Sequence, residues 1–214
     1  MLVAIGLAAA IGRAGSVASG GLESEQIRQL LPASVAAEAY LFDRWFVAHP
    51  LLIFLQIIPG SIFLALAPFQ FSSRIRSRHL HFHRWSGRVL VVAALTVGLS
   101  GLVLGALFPY GGPAARSAVF VAGTAFLIAL IRAFVAIRRH DVVQHREWMI
   151  RMFAISLGIA TVRVVGLVLI AVTGASFQNL AGISFWSGWV ITFAAAESWI
   201  RYTRPRTTEI LIAD

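Results

Sequence analysis

Apolar stretches alternate along this chain with short polar connections. Five stretches, roughly Phe46–Phe71, Val89–Phe108, Ala118–Ile137, Met149–Val172 and Leu180–Ile200, are almost wholly apolar. A helix needs about 20 such residues, at about 1.5 Å each, to cross a hydrocarbon core of about 30 Å. Each stretch therefore predicts a spanning helix. A sixth run, Met1–Ile11, is too short to span and lacks the basic flank of a signal peptide. It predicts a first helix with a clipped beginning, or a frayed half-helix. The expected fold is an all-α, polytopic transmembrane bundle of about six spans. Pro59-Gly60 predicts a kink in the second span, because proline removes a backbone donor.

The chain divides into a short first helix with its connection (1–45), a five-helix core (46–200) and a tail (201–214). Within the first part, Leu22–Leu41 spaces Leu22, Ile27, Leu30, Leu31, Val35 and Leu41 among polar residues, as a surface-lying amphipathic helix would. Gly105, Gly111, Gly112 and Pro113 predict a tight turn.

Composition supports a lipid solvent. The chain is 58% hydrophobic and 13% charged, with a mean hydropathy of +0.81, whereas soluble domains carry about 25% charged residues. The net charge of +9 comes with no lysine, and its arginines sit in short clusters between apolar runs. That distribution orients helices in a membrane and argues against a nucleic-acid face. With no cysteine there is neither a disulfide nor a thiolate metal site.

Orientation follows from the same clusters. Ser72–Arg88 carries five arginines and no acid; Arg138–Arg151 and the tail are also basic. Pro109–Ser117 carries only Arg116, Thr173–Asn179 carries no charge, and Gly12–Arg44 is balanced to slightly acidic. Basic short loops remain in the cytoplasm. Six crossings with both termini inside a bacterial inner membrane satisfy every connection.

Two basic motifs echo each other: HRWSGR at 83–88 and HREWMIR at 145–151, each preceding an apolar run. Arginine and tryptophan there suit a headgroup interface, and the echo predicts two parallel hairpins. With the HP of His49-Pro50, the PFQF of Pro68–Phe71, the RRHD of Arg138–Asp141 and Arg163, these motifs resemble the bacterial family catalogued as domain of unknown function 2306. The resemblance covers about residues 46 to 170. It implies a multi-pass inner-membrane protein and no particular reaction.

The imidazoles allow several chemistries. His79 and His83 are four apart, as are Asp141 and His145. Helical i, i+4 spacing puts each pair on one face, so the four define a candidate divalent-metal site. Alternatively, His83 and His145 would be axial ligands of a haem whose propionates meet Arg84 and Arg146. His81 and His140 lie off those faces. Against both stands the ordinary role of histidine, arginine and tryptophan as interfacial anchors.

Arg163 lies roughly 20 Å into its predicted span at helical rise. Insertion scales charge about 2.5–3.5 kcal/mol for arginine near a bilayer centre. It should therefore face the bundle and find a partner. His49 and Gln56 reach comparable depth from their own span and complete an intramembrane polar site, His49, Gln56 and Arg163. Carbonyls freed by Pro59 are an alternative partner for Arg163. Arg132 is expected to snorkel, and Glu197 to pair with Arg201 at i, i+4. Gly98, Gly101 and Gly105 suit close helix packing.

Three functions fit: a non-enzymatic membrane protein with a cytoplasmic His/Arg cofactor site, a b-type cytochrome-like redox subunit, or a small-molecule or ion carrier. No serine triad, phosphate loop or paired intramembrane carboxylate supports a hydrolase or a nucleotide-driven machine. The expected partner is lipid, with no nucleic acid.

Overall fold

The long apolar stretches become helices that begin earlier than their apolar cores. The computed structural model describes residues 1–18, 44–108 and 111–204. In chain order the helices are α1 (Leu2–Ala18), α2 (Pro50–Gln70), α3 (Ser73–Arg78), α4 (Leu80–Leu107), α5 (Gly112–Arg138), α6 (Val142–Thr173) and α7 (Phe177–Thr203). The amphipathic segment expected at Leu22–Leu41 lies outside the described residues, as does most of the tail.

Four helices, α2, α4, α5 and α6, are long and apolar enough to cross a membrane, at 21, 28, 27 and 32 residues. Helix α7 has the length, 27 residues, but Gln178, Asn179, Ser184, Ser187 and Glu197 dilute its apolar character. Helix α1, at 17 residues, exceeds the expected apolar run yet rises only about 25 Å. Both pack against the other helices: α7 forms the most extensive interface, with α6, and α1 lies against α2 and α6.

Only 22–33% of each spanning window is buried. The exposed remainder is greasy. Leu51, Leu55, Ile58, Ile62 and Phe69 form a stripe down α2, and Val92, Leu95, Leu99, Val103 and Leu107 another down α4. Stripes at three- and four-residue spacing on the outside of a bundle meet hydrocarbon, since water would not tolerate them.

Inside, small residues set the spacing. Ala181, Ser184, Gly188, Thr192, Ala196 and Ile200 are the buried positions of α7. A Cβ on Gly188 would lie 2.7 Å from the Val162 nitrogen, and one on Gly158 would strike the Trp189 ring. This is backbone-level contact of the small-residue kind. Gly98 and Gly105 likewise face Leu127 and Val119. Gly101 lies beside Gln56, where an added Cβ would meet the amide at an ordinary contact distance of 3.6 Å.

The turns are short, so successive long helices run antiparallel. Gly111 (φ 77°) and Gly112 (φ 69°) take the left-handed backbone at the α4–α5 turn, and a Cβ on Gly111 would also collide with Ala181. Pro113 then opens α5. At the opposite end, His140 adopts φ 61° and Asp141 caps α6 through the Gln144 N–H at 2.9 Å. Pro59 lies inside α2, whose helix runs through it to Gln70. The end bearing α3, the α5–α6 turn and the last turn of α7 is the basic end, and the other is the far end.

Candidate functional site

At the basic end the polar groups pair with one another. Both echoed motifs lie within helices: HRWSGR in the first turns of α4, HREWMIR in those of α6. Gln70 of PFQF donates to the Ser86 hydroxyl of HRWSGR at 2.7 Å, and Arg76 donates to the Gln70 carbonyl at 3.2 Å. Glu147, in the centre of HREWMIR, is only 3% exposed. Arg204 donates to both its oxygens, at 2.9 and 3.0 Å, and Arg151 approaches at 3.6 Å. Arg151 in turn donates twice to Glu197, at 2.6 and 3.1 Å. Glu197 thus takes its partner from α6, where the sequence predicted Arg201. Arg132 and Arg151 both approach the Trp148 ring, at 5.9 and 4.8 Å, so Arg132 has a protein partner as well as an interfacial position.

The histidines of this end do not form the expected metal tetrad. His79 is the exposed residue joining α3 to α4, and the Asp141 carboxylate is committed to its helix cap. Among the described residues no group of three or more histidines and acids is arranged to hold a metal ion. The physical reason is that both first members of the pairs sit at helix boundaries: the Asp141 carboxylate is held by its cap, and the non-helical backbone of His79 takes it off the face of α4. His83 lies within electrostatic reach of His145, and of Arg76 and Arg84. His145 Nδ1 lies 2.9 Å from the Ala133 carbonyl. A carbonyl only accepts, so Nδ1 carries the proton and Nε2 is left as the ligating nitrogen. His83 Nδ1 is buried with no hydrogen-bond partner. Of the arginines meant for haem propionates, Arg84 is exposed, whereas Arg146 donates to the Thr203 hydroxyl at 2.7 Å.

Toward the far end the bundle opens into a cavity of ≈ 470 Å³. Residues of α1, α2, α4, α5, α6 and α7 wall it, with Phe46. Gln56 and Arg163, which the sequence reading grouped together, both line it. Gln56 accepts a hydrogen bond from Ser100 and rests beside Gly101. Arg163 donates to the Ile159 carbonyl of its own helix at 3.2 Å, and to no carbonyl near Pro59. Its side chain is exposed and lines the cavity.

His49 is not part of this site. Helix α2 begins at Pro50, so His49 is its cap residue, exposed at the helix mouth rather than inside the span. Its Nδ1 meets the Trp45 carbonyl at 2.9 Å and its ring stacks on Trp45 at 4.4 Å. In its place Arg13 and Arg116 line the cavity. Sequence reading had put both in connections. Arg13 falls within α1 because that helix extends to Ala18; its guanidinium lies over the Phe46 ring at 4.7 Å and within electrostatic reach of Arg163. Arg116 falls in the second turn of α5, a position that proline at the helix start could have signalled. Trp189, Phe126 and Ile155 line the cavity farther from the mouth, and the Trp189 indole donates to the Ile155 carbonyl at 3.0 Å.

The family model described as "Predicted membrane protein (DUF2306)" matches residues 53–200. The chain belongs to that family. Neither the curated proteins nor the solved structures contain a match to it.

Proposed function

We propose that this multi-pass protein binds a small molecule within its bundle and acts as a carrier or receptor for it. One observation carries this reading: Gln56, on α2, and Arg163, on α6, face a common cavity of ≈ 470 Å³. Small-molecule sites are concave, mostly apolar and furnished with a few convergent polar groups, with volumes of about 300–1,000 Å³. Arginine at membrane depth is costly unless it serves a partner, a pathway or a ligand. The arginine excess at the basic end supports a cytoplasmic location for that end, with both termini inside a bacterial inner membrane and the cavity toward the outer leaflet. No reaction is assigned.

A thermal-stability screen of purified protein against small organic acids, alcohols and amines tests the reading. Compounds that stabilise the wild type and not Arg163→Leu are expected, with both proteins equally monodisperse. A screen with no such compound would sink it.

A second reading, a b-type haem or single cation held at the basic end, rests on the approach of His83 to His145 and on the unpartnered His83 Nδ1. An absorption spectrum with metal analysis on detergent-solubilised protein decides it. A Soret band lost in His83→Ala and His145→Ala supports haem, whereas a colourless, metal-free protein refutes both ligands.

A further inference from the structure

The ligand's chemical class follows from the distribution of charge around the cavity. Acidic side chains among the described residues number three, Asp141, Glu147 and Glu197, and none of them lines it. Glu147 and Glu197 are spent on Arg204 and Arg151, and Asp141 on its own helix cap. The cavity receives Arg163, Arg116 and Arg13. Arg163 uses one of its five donors on a backbone carbonyl, and that carbonyl brings no negative charge. Arg116 has neither a hydrogen-bond nor an ion-pair partner among the described residues. Like charges gathered at one site repel.

The charges are also unevenly placed. Arg116 lies in the second turn of α5, about 6 Å along the helix from its far end, Gln56 about 9 Å down α2 and Arg163 about 15 Å down α6. Below them the walls are mostly apolar, with Phe126, Ile155 and Trp189 near the middle of the bundle beside Ser61 and Ser156. A cationic upper part over an apolar lower part matches a ligand with a charged head and a hydrocarbon body.

We propose that the cavity binds an amphipathic monoanion, a carboxylate or phosphate ester on an apolar chain. Its head is held by Arg163 and Arg116 beside the Gln56 amide, and its tail lies against Phe126, Ile155 and Trp189. This rests on the carrier-or-receptor reading and names its ligand. A guanidinium donates two parallel bonds to a planar carboxylate or a phosphate, which an alcohol cannot accept with equal strength. The site therefore discriminates by head-group charge first and chain second.

The test uses full-length protein in nanodiscs of neutral lipid, with quenching of Trp189 by terminally brominated decanoate as the readout, and Trp189→Phe to identify that signal. Decanoate is expected to bind, and brominated decanol about tenfold more weakly or less, the ratio that one charge-assisted hydrogen bond supplies. Arg163→Gln and Arg116→Gln should each weaken decanoate by about tenfold and leave decanol unchanged, while Arg163→Lys restores part of the loss. Acetate and inorganic phosphate serve as heads without tails and should compete poorly. Decanol binding as tightly as decanoate, with no effect of Arg163→Gln, would overturn the anion and leave a neutral-ligand cavity standing. Phosphate competing as well as decanoate would overturn the amphiphile in favour of a soluble anion. If neither amphiphile binds but the earlier screen yields Arg163-dependent compounds, the class fails and the carrier reading survives. If that screen is also blank, both fail.

Discussion

The two ends of the bundle treat the same residue type in opposite ways. At the basic end Arg151 and Arg204 meet carboxylates at 2.6–3.1 Å, and Arg146 meets a hydroxyl. At the far end, among the described residues, Arg163 has a carbonyl of its own helix, and Arg116 has no hydrogen-bond or ion-pair partner. Among the described residues, only the first group finds its partners on other helices. The difference separates charges that assemble the bundle from charges that await something. It also relocates interest. The family motifs that dominate the sequence, HRWSGR and HREWMIR, are mostly stitches between helix ends, and the less conspicuous Gln56 and Arg163 border the cavity.

If that contrast is right, damage at the two ends should read out differently. The largest loss of stability is expected where helices touch backbone to backbone. Gly188→Val has no room against the Val162 nitrogen and should cost about 3 kcal/mol or prevent assembly, seen as a lowered melting temperature or aggregation in detergent. Next comes Glu147→Ala. Breaking a buried pair by removing one partner costs about 3–5 kcal/mol. Since the Arg204 side chain is 61% exposed and can regain water, about 2 kcal/mol is expected here. Arg204→Gln leaves a nearly buried carboxylate behind and should cost at least as much, unlike an exposed surface arginine; a loss below a few tenths of a kcal/mol would show that Arg151 alone satisfies Glu147. The smallest effect belongs to Ser86→Ala, which removes the hydroxyl that receives Gln70 and should cost about 0.6–1 kcal/mol by the same melting assay. Arg163→Leu reverses the sign of the pattern: it removes an unpaired charge and should leave stability unchanged or raised, while abolishing ligand stabilisation.

Much of the fold was legible from hydrophobic run length. Every long apolar stretch became a helix, and their order and the short turns followed. Starts were less legible, because α4 and α6 begin with the polar residues Leu80–Arg88 and Val142–Trp148 bracket, and an apolar window passes over such turns. The candidate site was half legible. Arg163 and Gln56 stood out because polar groups deep in apolar runs demand an explanation. His49 was misplaced by a single boundary, the helix beginning at Pro50. Arg13 and Arg116 were missed for the same reason in reverse, since helices outran their apolar cores. The Glu147–Arg204 pair joins residues from α6 and the end of α7, and nothing in local spacing announces which helices will lie side by side. Burial of Glu147 on the face of Ile150 and Ala154 was the available signal.

The most direct test weighs the two ends against each other in one experiment. Native mass spectrometry of protein released from its own membrane is predicted to show a bound small molecule on the wild type and on Glu147→Ala, and none on Arg163→Leu. A chain that carries no adduct in any form, or one retained undiminished by Arg163→Leu, would contradict the claim that Arg163 and Arg116 wait for a ligand.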